Sequence, residues 1–399
     1  TSLLKFQSSL ALQCFTNEFI FVETEEEANA VKGLEKQIFE KSLIKKQLEN
    51  YDIACLASYR PLQRYDWSES IHPNAEMDEL IKRQVFQVNE ELLIRNEIPE
   101  LKTIENEISL AVKSQYEENP YPRWVQTRIE VNALEIKQLA SEIGLRFAAT
   151  VDHLSTAPEV LVAGCGTGQH TVSTASRIKN CHVTAVDLSL TSVSYAWRKT
   201  RELNLQNINY IQADILDLKE LGKNFDIIES TGVLHHMDNP VAGWQVLVDL
   251  LKPGGLMRLG LYSELARARI VEARQMIEKR NIPSNKEDMI GFRQALIEQD
   301  NPVFRNVIQS EDFFSTSTLR DLLFHVSETR FTLPQIQKIL DDLGLAFVGF
   351  EFRDKKQKQL FRTQHGFDGS EYDLDRWHQF ETSNPSTFGM MYQFWVQKL

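Results

Sequence analysis

Cysteine is scarce. The 399 residues hold four, Cys14, Cys55, Cys165 and Cys181. None stands at C-x-x-C spacing, which leaves no disulfide framework and no thiolate zinc knuckle to expect. Basic residues are also short: 44 Lys and Arg against 56 Asp and Glu give a formal charge of −12. Nucleic-acid affinity comes from clustered cations, so this balance argues against a nucleic acid as the main partner. It is compatible with a basic substrate such as a lysine-rich segment, and equally with simple solubility. No apolar run approaches the roughly 18 residues of a membrane helix. No charged region followed by a sustained apolar stretch marks a signal peptide. A cytoplasmic location is expected, and the start at Thr1 rather than methionine leaves room for an upstream segment. No 34-residue repeat is present. No cluster has metal-ligand spacing: His235 and His236 are adjacent, and on a turn they should point apart, so no metal is expected.

What the chain does have is a glycine run. Val160-Leu161-Val162-Ala163 leads into Gly164-Cys165-Gly166-Thr167-Gly168, and a helical stretch follows. Apolar β-formers running into glycines at alternate positions describe a strand entering a tight loop that a ligand approaches closely. A dinucleotide loop has G-x-G-x-x-G spacing, with the pyrophosphate on the helix N-terminus. Here the third glycine comes one position early, at Gly168, and Gln169 fills the dinucleotide position. That spacing suits a nucleoside with an amino-acid tail, such as S-adenosylmethionine.

The acids that follow keep the same register. His182–Val186 alternates as a second strand and ends at Asp187, beside Leu188, where a carboxylate can accept from both ribose hydroxyls. A third strand over 209–212 ends at Ala213-Asp214-Ile215, which suits an adenine ring. The fourth, Phe225–Ser230, opens onto Thr231-Gly232 and then Val233-Leu234-His235-His236. The fifth follows Lys252-Pro253-Gly254-Gly255. Gly164, Cys165, Gly166, Gly168, Asp187, Leu188, Ala213, Asp214, Ile215, Thr231 and Gly232 are therefore the candidate cofactor residues.

Residues 158–262 resemble the core of class I S-adenosylmethionine-dependent methyltransferases, and 232–240 resemble the branch with the quinone and sterol-type enzymes. Asn119-Pro120-Tyr121-Pro122-Arg123-Trp124, with Asp321–Val326 and Phe331–Pro334, is similar to a bacterial group often fused to tetratricopeptide repeats. Lysine methyltransferases of outer-membrane proteins are similar to that group. The resemblance implies an α/β fold: a Rossmann-like seven-stranded methyltransferase sheet ordered 3-2-1-4-5-7-6, the seventh strand antiparallel, with a helical N-terminal unit and a helical insertion. It also implies S-adenosyl-L-methionine as cofactor and leaves room for an upstream tetratricopeptide-repeat segment. The oligomeric state is not readable. The Asp/Asn-Pro-Pro-Tyr signature of many amide and nucleobase-amine methyltransferases is missing after strand four.

The expected organisation is a helical N-terminal unit over 1–115, a linker or lid segment and helix over 116–150, and the cofactor-binding core over 151–280. A helical substrate cap follows over 281–333, and 334–399 completes the sheet. Within this scheme Leu12, Phe15 and Phe19 share one helical face, as do Ile104, Ile108 and Val112. Glu25-Glu26-Glu27 opens a helix. Helices are expected near 128–145, 263–280 and 333–343. The sixth strand falls at 345–352, the seventh at 390–396, and 353–388 reads as a long polar loop. The prolines at 120 and 122 rule out regular structure between Tyr116 and Trp124.

Methyl transfer from a sulfonium asks a protein to align three atoms and to take a proton where the nucleophile carries one. Four residues are the catalytic candidates: His235, Tyr262, Tyr116 and His325. His235 follows strand four and is a base, an orienting group or a loop-shaping residue; His236 ranks behind it. Tyr262 ends strand five and can align an amine. Tyr116 belongs to a segment that lids the cofactor or pins the N-terminal helices. His325 sits in an apolar run of the cap, as a core residue or a pocket residue. Glu229 reads as a strand-end polar residue or a buried acid. The expected acceptor is a protein or peptide, with a lysine amine one form of it, or alternatively a small molecule of the quinone or secondary-metabolite type. A catalytically silent nucleotide-binding module is the reading from a different class.

Overall fold

The computed structural model describes residues 2–151, 154–352, 355–366 and 369–399. The chain divides into two compact units. The first takes the residues up to Glu97 together with Glu272–Phe324. Its core is helical: Ala11, Ile38, Ile53, Leu56, Leu62 and Ile81 are sealed from solvent in one cluster. Glu25 starts the helix Glu25–Leu43 as expected, where Thr24 and Glu27 form a reciprocal capping box. Helix Ser2–Thr16 stops before Phe19, whose positive φ of 55° takes it off the expected face.

The second unit holds Ile98–Val271 and His325–Leu399. A seven-stranded sheet runs through it in the order β3-β2-β1-β4-β5-β7-β6. The strands are β1 Glu159–Ala163, β2 His182–Asp187, β3 Ile208–Gln212, β4 Phe225–Thr231, β5 Leu251–Tyr262, β6 Leu345–Phe350 and β7 Met391–Lys398. The first five are parallel, and β7 is antiparallel to both β5 and β6. Central strands read as unbroken apolar runs because both faces are covered: Val160 to Ala163 are all sealed. Reversal of strand order between β1 and β4 places a crevice at their carboxyl ends, where open α/β sheets bind ligands. The expected fold and strand order are the ones observed.

Several local expectations are corrected. Helix is confined to Ile136–Ile143 where 128–145 was expected; Leu134 instead makes a parallel bridge with Ile178. The helix expected from 263 runs over Ala268–Lys279, because Ser263 is held in a bridge with Phe331. Tyr116 lies in the last turn of helix Glu107–Glu118, so irregular chain begins only after it, and Ile104 precedes that helix. The region 353–388 is no loop, though 353, 354, 367 and 368 lie outside the described residues. Helices Lys355–His365 and Leu374–Ser383 occupy it, and Phe361, Trp377 and Phe380 pack into the main core. Helix Glu107–Glu118 and residues 98–106 group with the sheet, and 272–324 group with the N-terminal helices. These boundaries differ from those drawn at 115 and 280. Among the described residues no helix is long and apolar enough to cross a membrane.

Candidate functional site

The glycine loop joins β1 to the helix Gln169–Arg177, called here the post-loop helix. Gly166 has φ +51°, and a Cβ there would lie 2.8 Å from the Tyr121 carbonyl oxygen. Gly168 caps the helix at φ +83°, and a Cβ would meet the Ala196 methyl at 2.6 Å. Any side chain at either position would be strained and crowded at once. Gly164 and Cys165 both donate backbone amides to the Val186 carbonyl at 2.9 Å, locking the loop to the end of β2. Burial, then the nearby Asp187 charge, pushes the Cys165 thiol well above its ordinary range. It stays a protonated packing group.

Asp187 closes this arrangement. Its Oδ2 accepts from the Gly166 amide at 2.8 Å and its Oδ1 from the Ser189 amide at 2.9 Å. Burial raises its pKa, while the Ser189 and Gly166 amides oppose the rise. A carboxylate has about four lone-pair sites, so two ribose hydroxyls fit alongside the two amides. Ala213 donates to the Asp187 carbonyl at 3.0 Å, and Leu188 accepts through its carbonyl from the Gln212 side chain at 2.8 Å. Asp214 is buried and accepts from the Leu216 amide at 3.0 Å, which sets the turn that carries Ile215. At the end of β4, Gly232 donates to the Gly260 carbonyl. The Thr231 hydroxyl oxygen beside it is buried with no hydrogen-bond partner among the described residues. Such an orphan is costly unless a ligand satisfies it.

The Pro-rich segment packs on the same loop. The Thr167 hydroxyl donates to the Pro122 carbonyl, and the Trp124 indole donates to the Thr167 carbonyl at 2.9 Å. Trp124 also packs with Val172 and Tyr195, under the Lys199 ammonium 4.9 Å from its ring. Trp124→Ala should remove about 3–5 kcal/mol of stability, a buried-aromatic truncation. Chemical denaturation checks this as a lowered midpoint with little change in slope.

All four catalytic candidates come together in one ring cluster. His235 is fully buried and stacks on Tyr262, centroids 3.7 Å apart. The Arg267 guanidinium covers the Tyr262 ring at 3.6 Å and pairs with Glu328 through 2.8 and 3.2 Å contacts. His236 stacks on His325 at 3.5 Å, and His325 Nε2 lies 3.1 Å from the Tyr116 hydroxyl. His235 and His236 do not point apart: their ring centroids are 4.3 Å from each other.

Ser327 assigns roles within this cluster. Its carbonyl lies 2.7 Å from His236 Nδ1, which must therefore carry the proton, so a neutral His236 presents a lone pair at Nε2. The Ser327 amide donates to His325 Nδ1 at 3.1 Å, so neutral His325 carries its proton on Nε2 and donates to Tyr116. One peptide residue thus sets two stacked imidazoles in opposite tautomers. The sequence ranks His235 over His236, and the two rings sit in different surroundings: His236 is hydrogen-bonded to Ser327, and His235 is fully buried. His235 is sealed, and neither of its ring nitrogens has a partner of hydrogen-bond geometry among the described residues. Burial first, then His236, Arg267 and His325, hold its pKa well below the ordinary range against a small opposing effect of the Gly260 carbonyl.

A lowered histidine pKa has a stability consequence. Below its ordinary value of about 6.5 the unfolded chain binds a proton that the folded chain refuses, so stability is full above that pH and falls beneath it. The melting temperature should drop as pH is lowered from 7 towards 5, and by a smaller amount in His235→Phe. Equal slopes in the two proteins would contradict the assignment.

Glu229 is no strand-end residue. It is completely buried on β4, accepts from Thr174 at 2.9 Å and from Arg177 at 3.3 Å, and lies within hydrogen-bond reach of His170 Nε2. Burial pushes its carboxyl up, but His170, Arg177 and Arg258 outweigh that and hold it well below the usual carboxylate range.

Residues 160–255 match the family model of the methyltransferase domain. This stretch is similar to that family's domain. It spans β1 to the start of β5 and contains the glycine loop, Asp187, Asp214 and both adjacent histidines. An uncharacterised protein of Synechococcus is 27% identical over 235 residues, 56% of this chain and 56% of the relative. A protein of Papaver bracteatum named as a probable (S)-tetrahydroprotoberberine N-methyltransferase is 39% identical over 80 residues, 20% of this chain and 22% of the relative. The chain thus covers about half or less of these relatives' lengths. The solved structure of PKMT2 from Rickettsia typhi with AdoHcy is 17% identical, covering 66% of this chain and 52% of that one at a TM-score of 0.46.

Proposed function

We propose that this chain is an S-adenosylmethionine-dependent methyltransferase acting on an acceptor that surrenders a proton from oxygen or nitrogen. The observation carrying this reading is Asp187: a carboxylate at the end of β2, tied to the glycine loop by the Gly166 amide with acceptor capacity to spare. The orphaned Thr231 hydroxyl supports the fit. In this reading the loop amides around Gly166 hold the methionine tail, Asp187 the ribose, and Ala213, Asp214 and Ile215 the adenine. The Pro-rich segment, seated on Thr167, lids the pocket.

Bound S-adenosylmethionine supplies a methyl group already activated on sulfur. The protein's remaining work falls to the ring cluster. His236 Nε2 takes the acceptor's proton, while His325 and Tyr116 form the donor side that orients the acceptor; Tyr262 is fixed by His235 and Arg267. A placed base of this kind contributes roughly 10²–10⁴-fold.

For the acceptor itself, the charge of −12 and the large helical unit favour a protein or peptide, with a lysine amine among the possibilities. The second reading, a small-molecule acceptor, is favoured by the buried, close-packed ring cluster. Relatives named as N- and O-methyltransferases are compatible with either nucleophile. The test is intact-mass analysis of lysate proteins and metabolites incubated with methyl-labelled cofactor. Label on polypeptide supports the first reading and label on metabolites the second. Binding without transfer to either would leave only a silent nucleotide-binding module.

A further inference from the structure

The inward face of the post-loop helix is polar where a helix on a sheet is normally apolar. His170, Thr174 and Arg177, at i, i+4 and i+7, all reach Glu229 on β4. The network continues sideways. Arg177 Nη1 reaches Glu351 at 3.0 Å, Arg258 Nε on β5 reaches the same carboxylate at 2.8 Å, and the Trp395 indole on β7 donates to it at 2.7 Å. Arg258 Nη1 also lies 2.8 Å from His170 Nε2. That nitrogen can donate to Glu229 or accept from Arg258, but not both at once. The helix capped by Gly168 is therefore held at its first turn, middle and end against Glu229 on β4, and at its end also against Glu351, just past β6. Apolar packing tolerates small slides along a helix axis; converging charge-assisted bonds do not.

We propose that Glu229 is a positioning residue for the cofactor's amino-acid tail, fixing the glycine loop through His170, Thr174 and Arg177. The inference rests on the cofactor reading above. It makes a prediction that general stabilisation does not. The loop contacts the tail, whereas Asp187, tied to β2, contacts the nucleoside. Loosening the helix should weaken ligands with the tail and spare those without it.

The experiment compares S-adenosylhomocysteine with 5′-methylthioadenosine, which lacks the amino-acid group, by calorimetry on the full chain. Glu229→Gln keeps the shape and removes the charge. It is expected to weaken S-adenosylhomocysteine roughly tenfold while changing 5′-methylthioadenosine less than about twofold, a size typical of coupling through a packed element. Should this variant fail to fold, His170→Gln carries the same comparison, because it detaches only the first turn. Equal weakening of both ligands, or no weakening of either, in a folded variant overturns the proposal. Wild-type protein that binds neither ligand overturns the cofactor reading instead.

Discussion

Replacing Asp187 with alanine is expected to weaken S-adenosylmethionine binding by about 100-fold or more, because two charge-assisted hydrogen bonds of roughly 1.5–3 kcal/mol each are lost together. The effect has a second source within the protein. The Gly166 amide, now 2.8 Å from Oδ2, loses the acceptor that aims the loop. Asp187→Asn keeps one carbonyl acceptor per side chain and should fall between the two. Calorimetric titration reads both variants against wild type. Since Asp187 also accepts from Ser189, which opens the next helix, a modest fall in melting temperature is expected alongside. The binding loss should persist at temperatures where the variant remains folded. An alanine variant that binds as tightly as wild type removes the basis of the cofactor assignment.

The arrangement of the glycine loop and Asp187 was legible because it is local. Strand, glycine loop and helix are contiguous, and the acid after β2 follows at βαβ spacing, so register alone brings Gly166 and Asp187 together. The ring cluster depends on contacts across the chain. Nothing within Leu234–His236 distinguishes the two histidines; Ser327, some ninety positions away, does so through its peptide groups. Arg267 and Glu328 escaped notice for the same reason. Glu229 lies in an apolar strand, and its three partners sit on a helix whose face pattern, His170, Thr174, Arg177, imitates a solvated one. Burial of that face follows only from a carboxylate opposite. One miss was avoidable. Leu374, Trp377 and Phe380 recur at helical spacing behind Asp373, which caps the helix, and only the polar residues between them disguised it.

His236→Gln is expected to lower turnover by roughly 10²–10⁴-fold, the contribution of a positioned base, with the affinity for S-adenosylmethionine unchanged within about twofold. Glutamine preserves size and can still donate towards the Ser327 carbonyl, but it offers no titrating nitrogen. The label-transfer assay supplies the acceptor for this measurement. His325→Gln should cost less in turnover and more in acceptor KM, because His325 acts on the donor side through Tyr116. His235 provides the control. It is sealed between Tyr262 and His236, so its replacement disturbs stacking without removing the proton acceptor. A variant of His235 that loses more turnover than His236→Gln, at equal stability, would return the base to the position the sequence favoured. The tautomers offer a check that needs no acceptor. Imidazole ¹⁵N spectra should place the proton on Nδ1 in His236 and on Nε2 in His325, and the reverse pattern would leave no lone pair at His236 Nε2 to receive a proton.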